Sequence, residues 1–212
     1  MIRGAAQLAL VVWGAALAAC GFRSPISSPD GVPAEPDAAV FDPATECPPD
    51  YTTTFASTVA TSRYRVITAI SPFWPHNATC NADRPGVTHA VTLGTMQELL
   101  ELKAHLDTVS TLDRYYLGGV QDPQATVANQ GWIWFDGTSL RQTEWYLPEG
   151  EPDDNNSGTE VHNSQLIIID RLLTYFHDAT GTSSYGIVCE CDGTPVAAAA
   201  QDFVDRDPSN PN

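Results

Sequence analysis

The sequence predicts an α+β fold for residues 46–192, with two helices early and strands joined by long loops late. Two observations favour this fold class. Residues 95–106 carry apolar side chains at helical spacing, whereas several other segments are rich in Val, Ile, Thr and Tyr, as strands are. From Gln121 to Asp178 there is little regular pattern and much Asp, Asn, Gly and Pro, and long loops of this kind tend to be functional.

The individual elements follow from local patterns. The segment TMQELLELKAHL (95–106) predicts an amphipathic helix, with Thr95 as its N-cap and Glu98 as the capping-box partner. The β-rich segments predict strands over 52–54, 64–70, 115–120, 131–135, 166–169 and 185–190.

The N-terminus has the pattern of an export signal. Residues 5–19 are almost wholly apolar after Arg3, and they are too few for a bilayer span of about 20 residues. The run ends in LAACG (17–21), which resembles a bacterial lipobox and implies a signal peptide over 1–19 with lipidation of Cys20. An ordinary secretory signal with a chance Cys is the alternative. Because Gly21 follows Cys20 where an inner-membrane signal often has Asp, the resemblance favours the outer membrane or cell surface over the inner membrane.

Both ends of the mature chain are expected to lie outside the compact domain. Residues 20–45 comprise the lipidated Cys and a Pro-rich tether, since prolines at this density block both helix and sheet. Residues 193–212 are expected to form a flexible tail, in which the Ala run could form one short helix.

The net charge and the absence of common catalytic motifs exclude several classes of function. The 212 residues carry 10 Lys plus Arg and 26 Asp plus Glu, a net charge of −16. This balance argues against nucleic acid as a partner, because its phosphates would be repelled, and it permits cation binding. The chain has no HExxH, GxSxG or Gly-rich phosphate-loop motif, so we do not predict an enzyme.

An ordered set of motifs from Cys47 to Glu190 resembles a C-type lectin-like domain of the long form. In chain order the matching segments are CPPDY (47–51), SRYR (62–65), 74–80, 88–106, LGG (117–119), WIWFDG (132–137), Trp145, EPD (151–153), FHD (176–178) and VCE (188–190). The resemblance implies a C-type lectin-like fold, with two helices, two small antiparallel sheets and a long loop region.

The resemblance also implies a disulfide pattern. In the family, the first-helix Cys is bonded to the last-strand Cys, which here means Cys80–Cys189. The first and last strands of the fold are neighbours, which favours Cys47–Cys191 for the remaining pair. Cys80–Cys191 with Cys47–Cys189, or free thiols, are the alternatives; an oxidising envelope allows the bonds.

The candidate metal site lies in the acidic loop 149–160, which suits a hard cation such as Ca²⁺. The resemblance implies that five residues would bind Ca²⁺ and, with it, two vicinal hydroxyls of a sugar, and that Pro152 would be cis. These residues are Glu151, Asp153, Glu160, His177 and Asp178. The alternative is a solvated acidic loop.

Two departures from the family pattern weaken this interpretation. His177 stands where the family has Asn, and it offers nitrogen in place of a carbonyl oxygen. Asp153 makes the triplet Glu-Pro-Asp, which matches neither the mannose-type nor the galactose-type motif of the family.

We expect three tryptophans to pack in the core rather than against a sugar: Trp132, Trp134 and Trp145.

Two functions follow. The first is a lipid-anchored surface lectin that binds glycans, with Ca²⁺ as a candidate cofactor, for adhesion or recognition. The alternative is a calcium-independent module that binds a protein of the envelope or the extracellular space.

Overall fold

The computed structural model describes residues 40–140, 145, 150–152, 166–173 and 175–206. Its content of helix and sheet confirms the α+β class. The helices of the described residues are α1 (Pro43–Glu46), α2 (Phe73–Asp83), α3 (Met96–Val109) and α4 (Ala198–Arg206). The strands are β1 (Arg63–Ser71), β2 (Thr88–Ala90), β3 (Arg114–Gln121), β4 (Trp132–Trp134), β5 (Leu166–Asp170), β6 (Tyr175–Ala179) and β7 (Tyr185–Cys191).

The strands form one connected sheet in the order β1-β7-β3-β5-β6, with β2 paired to β7 and β4 paired to β3. All pairs are antiparallel except β3 with β7. The two small sheets that the resemblance implied are therefore connected into one sheet by the parallel pairing of β3 with β7. Close approach at this junction depends on Gly118, whose N–H donates to the Val91 carbonyl at 2.7 Å. A Cβ at Gly118 would overlap the carbonyl group of Ala90.

Helix α3 begins as the sequence predicts. The Thr95 hydroxyl accepts a hydrogen bond from the Glu98 N–H at 3.1 Å, which confirms Thr95 as the N-cap. The Glu98 carboxylate accepts from the Gly94 N–H at 2.9 Å and from the Tyr64 hydroxyl at 2.6 Å. Because its carboxylate accepts these hydrogen bonds, the side chain of Glu98 can be buried next to the apolar face of α3, which consists of Leu99, Leu102 and Leu106.

Both expected disulfides are present. Cys47 is bonded to Cys191 with a Cα–Cα distance of 5.9 Å, and Cys80 is bonded to Cys189 with a Cα–Cα distance of 5.4 Å. Cys189 and Cys191 are two residues apart on β7, so their side chains project to the same face of the sheet. The alternative pairing and the free thiols are both wrong.

The C-terminal segment, expected to be a flexible tail with one possible short helix in its Ala run, contains such a helix and is more ordered than expected. Residues 198–206 form helix α4, in which Ala200 and Val204 are buried. The guanidinium of Arg206 pairs with Asp202 at 2.6 Å and lies 3.7 Å from Asp122. The short Ala-rich segment is ordered because one side of the helix has apolar surface to bury. Residues 207–212 lie outside the described part of the chain.

The expected signal peptide, Cys20 and the tether up to residue 39 also lie outside the described residues. Next to them, the last six positions of the expected tether are described: Pro43 is buried in α1, and the ring of Phe41 lies against Gly193. Within the described part of the chain, no helix combines the length and the apolar content needed to cross a membrane.

Candidate functional site

An aromatic cluster fixes the position of β6 relative to the long-loop region. Phe176 lies edge-on to Trp134, with ring centroids 5.6 Å apart, and to Trp145, with centroids 6.2 Å apart. Trp132 packs in turn against Trp145 at 4.9 Å. The three tryptophans are between 2% and 6% exposed, which confirms that they belong to the core.

Strand β6 places the next two residues at the edge of this cluster. β6 pairs antiparallel with β5, with His177 opposite Ile168 and Asp178 opposite Ile167. Within the described residues, β6 is the outermost strand of the sheet path, so β5 is its strand neighbour there. His177 is buried, whereas Asp178 is half-buried.

Glu151 lies directly against these two residues, although 26 positions separate it from His177. His177 Nδ1 is 2.8 Å from Glu151 Oε1, and the Asp178 N–H donates to Glu151 Oε2 at 3.3 Å. Burial alone would raise the pKa of Glu151, but the hydrogen bonds from His177 and Asp178 outweigh it and lower the pKa to about 2. Glu151 is therefore an anion at neutral pH, and His177 Nδ1 donates to it.

Three of the five residues expected from the resemblance thus meet in space: Glu151, His177 and Asp178. The Glu151–Pro152 peptide bond is cis, as predicted. Asp153 and Glu160 lie outside the described residues, so their membership of the site stays a prediction.

The described part of this set does not fit Ca²⁺ in the arrangement present. Calcium takes six to eight oxygen ligands. Here each oxygen of Glu151 accepts a hydrogen bond from an N–H group, and His177 presents a hydrogen to the carboxylate where the family has a carbonyl oxygen. A cation between these groups would face that N–H hydrogen, so Nδ1 of His177, as it is bonded here, offers calcium no ligand atom.

Comparison with known proteins addresses the fold. No protein-family model matches the chain, and neither does any curated protein. Among solved structures, the carbohydrate-recognition domain of mouse scavenger receptor C-type lectin is similar, with a TM-score of 0.54 and 19% identity, over 69% of this chain and 98% of that chain. The human counterpart has a TM-score of 0.54 and 20% identity over the same shares. The C-type lectin CEL-I from Cucumaria echinata has a TM-score of 0.53 and 17% identity, over 68% of this chain and 96% of that chain.

This chain has the C-type lectin-like fold. Since all three identities are below 25%, the likeness shows the fold alone, and the chemistry of the site depends on this chain's own residues.

A second polar cluster lies within the sheet of this C-type lectin-like domain. His89 on β2 is opposite Glu190 on β7, and Asp192 follows two residues later on the same face. Their candidate ligand atoms all lie within 4.8 Å of one another. His89 is 1% exposed and Glu190 is 3% exposed.

The hydrogen bonds of His89 favour an ion pair here rather than a metal centre. His89 Nδ1 lies 2.8 Å from the Ala90 carbonyl oxygen, and Nε2 lies 3.1 Å from Asp192 Oδ1. Both oxygens are acceptors, so both ring nitrogens donate and the ring is an imidazolium without a free lone pair. Burial lowers the pKa of His89, but Asp192 and Glu190 outweigh it and raise the pKa to about 9. Burial raises the pKa of Glu190 to about 8.

This cluster was not predicted from the sequence. The available signal was a charged residue inside the otherwise apolar strand VCEC (188–191), since a buried charge needs a partner. The partners, His89 and Asp192, become evident only when the β2–β7 register is known.

Proposed function

We propose that this protein is a carbohydrate-binding protein of the bacterial cell surface, held to the membrane by a lipid on Cys20. Glycan binding is supported by the Glu151 carboxylate, which is ionised and hydrogen-bonded to β6. It is also supported by the fold, which solved carbohydrate-recognition domains share. The support for the anchor is the lipobox-like sequence at 17–21. Neither feature calls for a nucleophile or a general base, so the proposal is a binding role and not an enzyme.

The chemistry suits sugar hydroxyls. An ionised carboxylate has about four acceptor positions, so Glu151 can accept from hydroxyl groups in addition to the two N–H donors of β6. Asp178 supplies a second, half-buried carboxyl group, whose side chain is hydrogen-bonded to Glu151. Hydrogen bonds from neutral hydroxyls to ionised carboxylates are stronger than those between neutral groups. The ionised Glu151 and the adjacent Asp178 carboxyl group thus suit two neighbouring hydroxyls of one ring.

The test is a glycan array probed with the purified protein, in calcium and in chelator. Glu151→Gln and Asp178→Ala should each remove the signal, because they replace the two carboxylates. Asp202→Asn, which removes an exposed carboxylate on α4, is the matched control and should leave the signal unchanged. A signal that persists in both site variants would place sugar binding elsewhere on the protein.

A second candidate function is calcium-independent protein binding, and one feature outside the site favours it. A groove of about 360 Å³ at one end of the sheet is lined by Ile70, Leu112, Leu172 and Tyr185, with the Arg114–Asp170 ion pair beside them. Ile70 and Leu172 are each more than 60% exposed. Exposed apolar side chains next to charges are typical of protein-binding surfaces. If this candidate holds, Ile70→Asp should weaken capture of a protein partner, and Glu151→Gln should not.

A further inference from the structure

His177 and Glu151 make direct contact at the position where the family resemblance implies a divalent ion. Their side chains are 6% and 10% exposed, and the Nδ1–Oε1 distance is 2.8 Å. The contact is therefore a short, charge-assisted hydrogen bond that water barely reaches.

The second donor strengthens the same attachment. The Asp178 N–H reaches the other oxygen of Glu151, so two consecutive residues of β6 hold both ends of one carboxylate. Phe176, the residue before them, is locked in the tryptophan cluster, and β5 fixes their register. The chain at Glu151–Pro152 is thus tied to a rigid strand by two hydrogen bonds.

A bound calcium ion would likewise attach the Glu151–Pro152 segment to β6. It would draw Glu151 toward Asp178 by binding oxygens from both segments. In this chain the donated hydrogens of β6 already supply the positive end of that attraction. Nδ1 of His177 donates to Glu151 without any ion, whereas an amide that turns its oxygen toward an ion leaves the carboxylate dependent on that ion.

We propose that the His177–Glu151 hydrogen bond takes the place of Ca²⁺ in holding this site, so that the domain keeps its binding geometry without a metal ion. His177 is in this sense a positioning residue that acts through Glu151. The inference rests on the proposed function only for the use to which the site is put.

Calorimetry and thermal unfolding test the proposal without any glycan. The purified protein should unfold at the same temperature in millimolar calcium and in chelator. His177→Asn should lower the unfolding temperature in chelator and regain it on addition of calcium, because the Asn carbonyl restores an oxygen ligand. Nitrogen NMR of the wild-type imidazole should show a hydrogen on Nδ1, with a signal that calcium does not move.

A double-mutant cycle isolates the contact from general damage to the fold. Glu151→Gln, His177→Asn and the double variant should be clearly non-additive in chelator. His105→Asn, the same chemical change at a half-buried histidine bonded to Thr53, is the matched control and should not become calcium-responsive.

Three results would overturn the proposal. The first is calcium binding by the wild-type protein that Glu151→Gln abolishes. The second is additivity of the two substitutions. The third is a His177→Asn protein that is as stable as the wild type or remains indifferent to calcium. Failure of the glycan array alone would leave all of these measurements unchanged, so it would count against the proposed function and not against the metal-free site.

Discussion

Raising the pH should destabilise this domain through the buried cluster of His89, Glu190 and Asp192. His89 is 1% exposed and donates from both ring nitrogens, to the Ala90 carbonyl and to the Asp192 carboxylate. Loss of its proton would leave one of these buried acceptors without a donor. It would also leave the adjacent carboxyl groups without their cation.

The sign and size follow from the pKa of His89, which is raised from 6.5 to about 9. A group with a raised folded-state pKa stabilises the protein fully below its unfolded pKa and ceases to do so as the pH passes its folded pKa. Stability should therefore fall between pH 6.5 and about 9, by about 3 kcal/mol from His89 alone. Glu190, whose pKa is raised from 4.5 to about 8, lowers stability in the same direction between those two pH values and so adds to the slope up to about pH 8.

Urea unfolding at a series of pH values measures this effect, since urea, unlike guanidinium, adds no salt to screen the charges. His89→Gln keeps a hydrogen-bond donor and cannot titrate, so it should be less stable at pH 6.5 and should lose much of the slope above that pH. His76→Gln alters another buried histidine, bonded to the Ala69 and Tyr185 carbonyls, and should keep the slope. A wild-type stability that stays constant from pH 6.5 to 9, or a His89→Gln protein with the full slope, would contradict this prediction.

Two further predictions concern the framework of the site. Gly118→Ala should destabilise the domain by about 3 kcal/mol in urea unfolding, because the added methyl would overlap a backbone carbonyl that cannot move aside; a loss below about 1 kcal/mol would mean that β3 can shift. Replacing Cys80 and Cys189 together by Ala should cost roughly 5 kcal/mol, since the bond closes a loop with a sequence separation of 109 residues. An unchanged denaturation midpoint would show that the cross-link contributes little.

The sequence allowed good predictions where local chemistry decides the structure. The Thr95 N-cap and the leucines of α3 follow a pattern that one helix satisfies by itself, and the structure confirms that N-cap. The strands β3, β5 and β7 were predicted because their segments are rich in β-branched and aromatic residues. The disulfide partners came from the family resemblance, and the spacing of Cys189 and Cys191 on β7 explains why both bonds can form at one face.

Elements that depend on distant partners were harder to predict. Strand β6 carries His177 and Asp178 in its middle, and polar residues there do not suggest a strand until Phe176 is seen inside the tryptophan cluster. For residues 193–212 the sequence predicted a flexible tail with one possible short helix in the Ala run, and the extent of the helix over 198–206 could not be predicted because its burial depends on the rest of the domain. Likewise, Glu98 was predicted only as a capping residue, since its bond to Tyr64 spans 34 positions.

In the candidate site, too, the sequence predicted which residues come together but not which of their atoms are hydrogen-bonded. The sequence placed Glu151, His177 and Asp178 in one site because the motif order resembled a known pattern, but motif order says nothing about which atom faces which. The β5–β6 register and the aromatic contacts of Phe176 decide that His177 points an N–H at Glu151. Since the packed core sets that direction, one substitution at position 177 can change what holds the site together while the fold remains the same. A lectin-like scaffold can in this way exchange an ion for a hydrogen bond without rebuilding the strand that presents it.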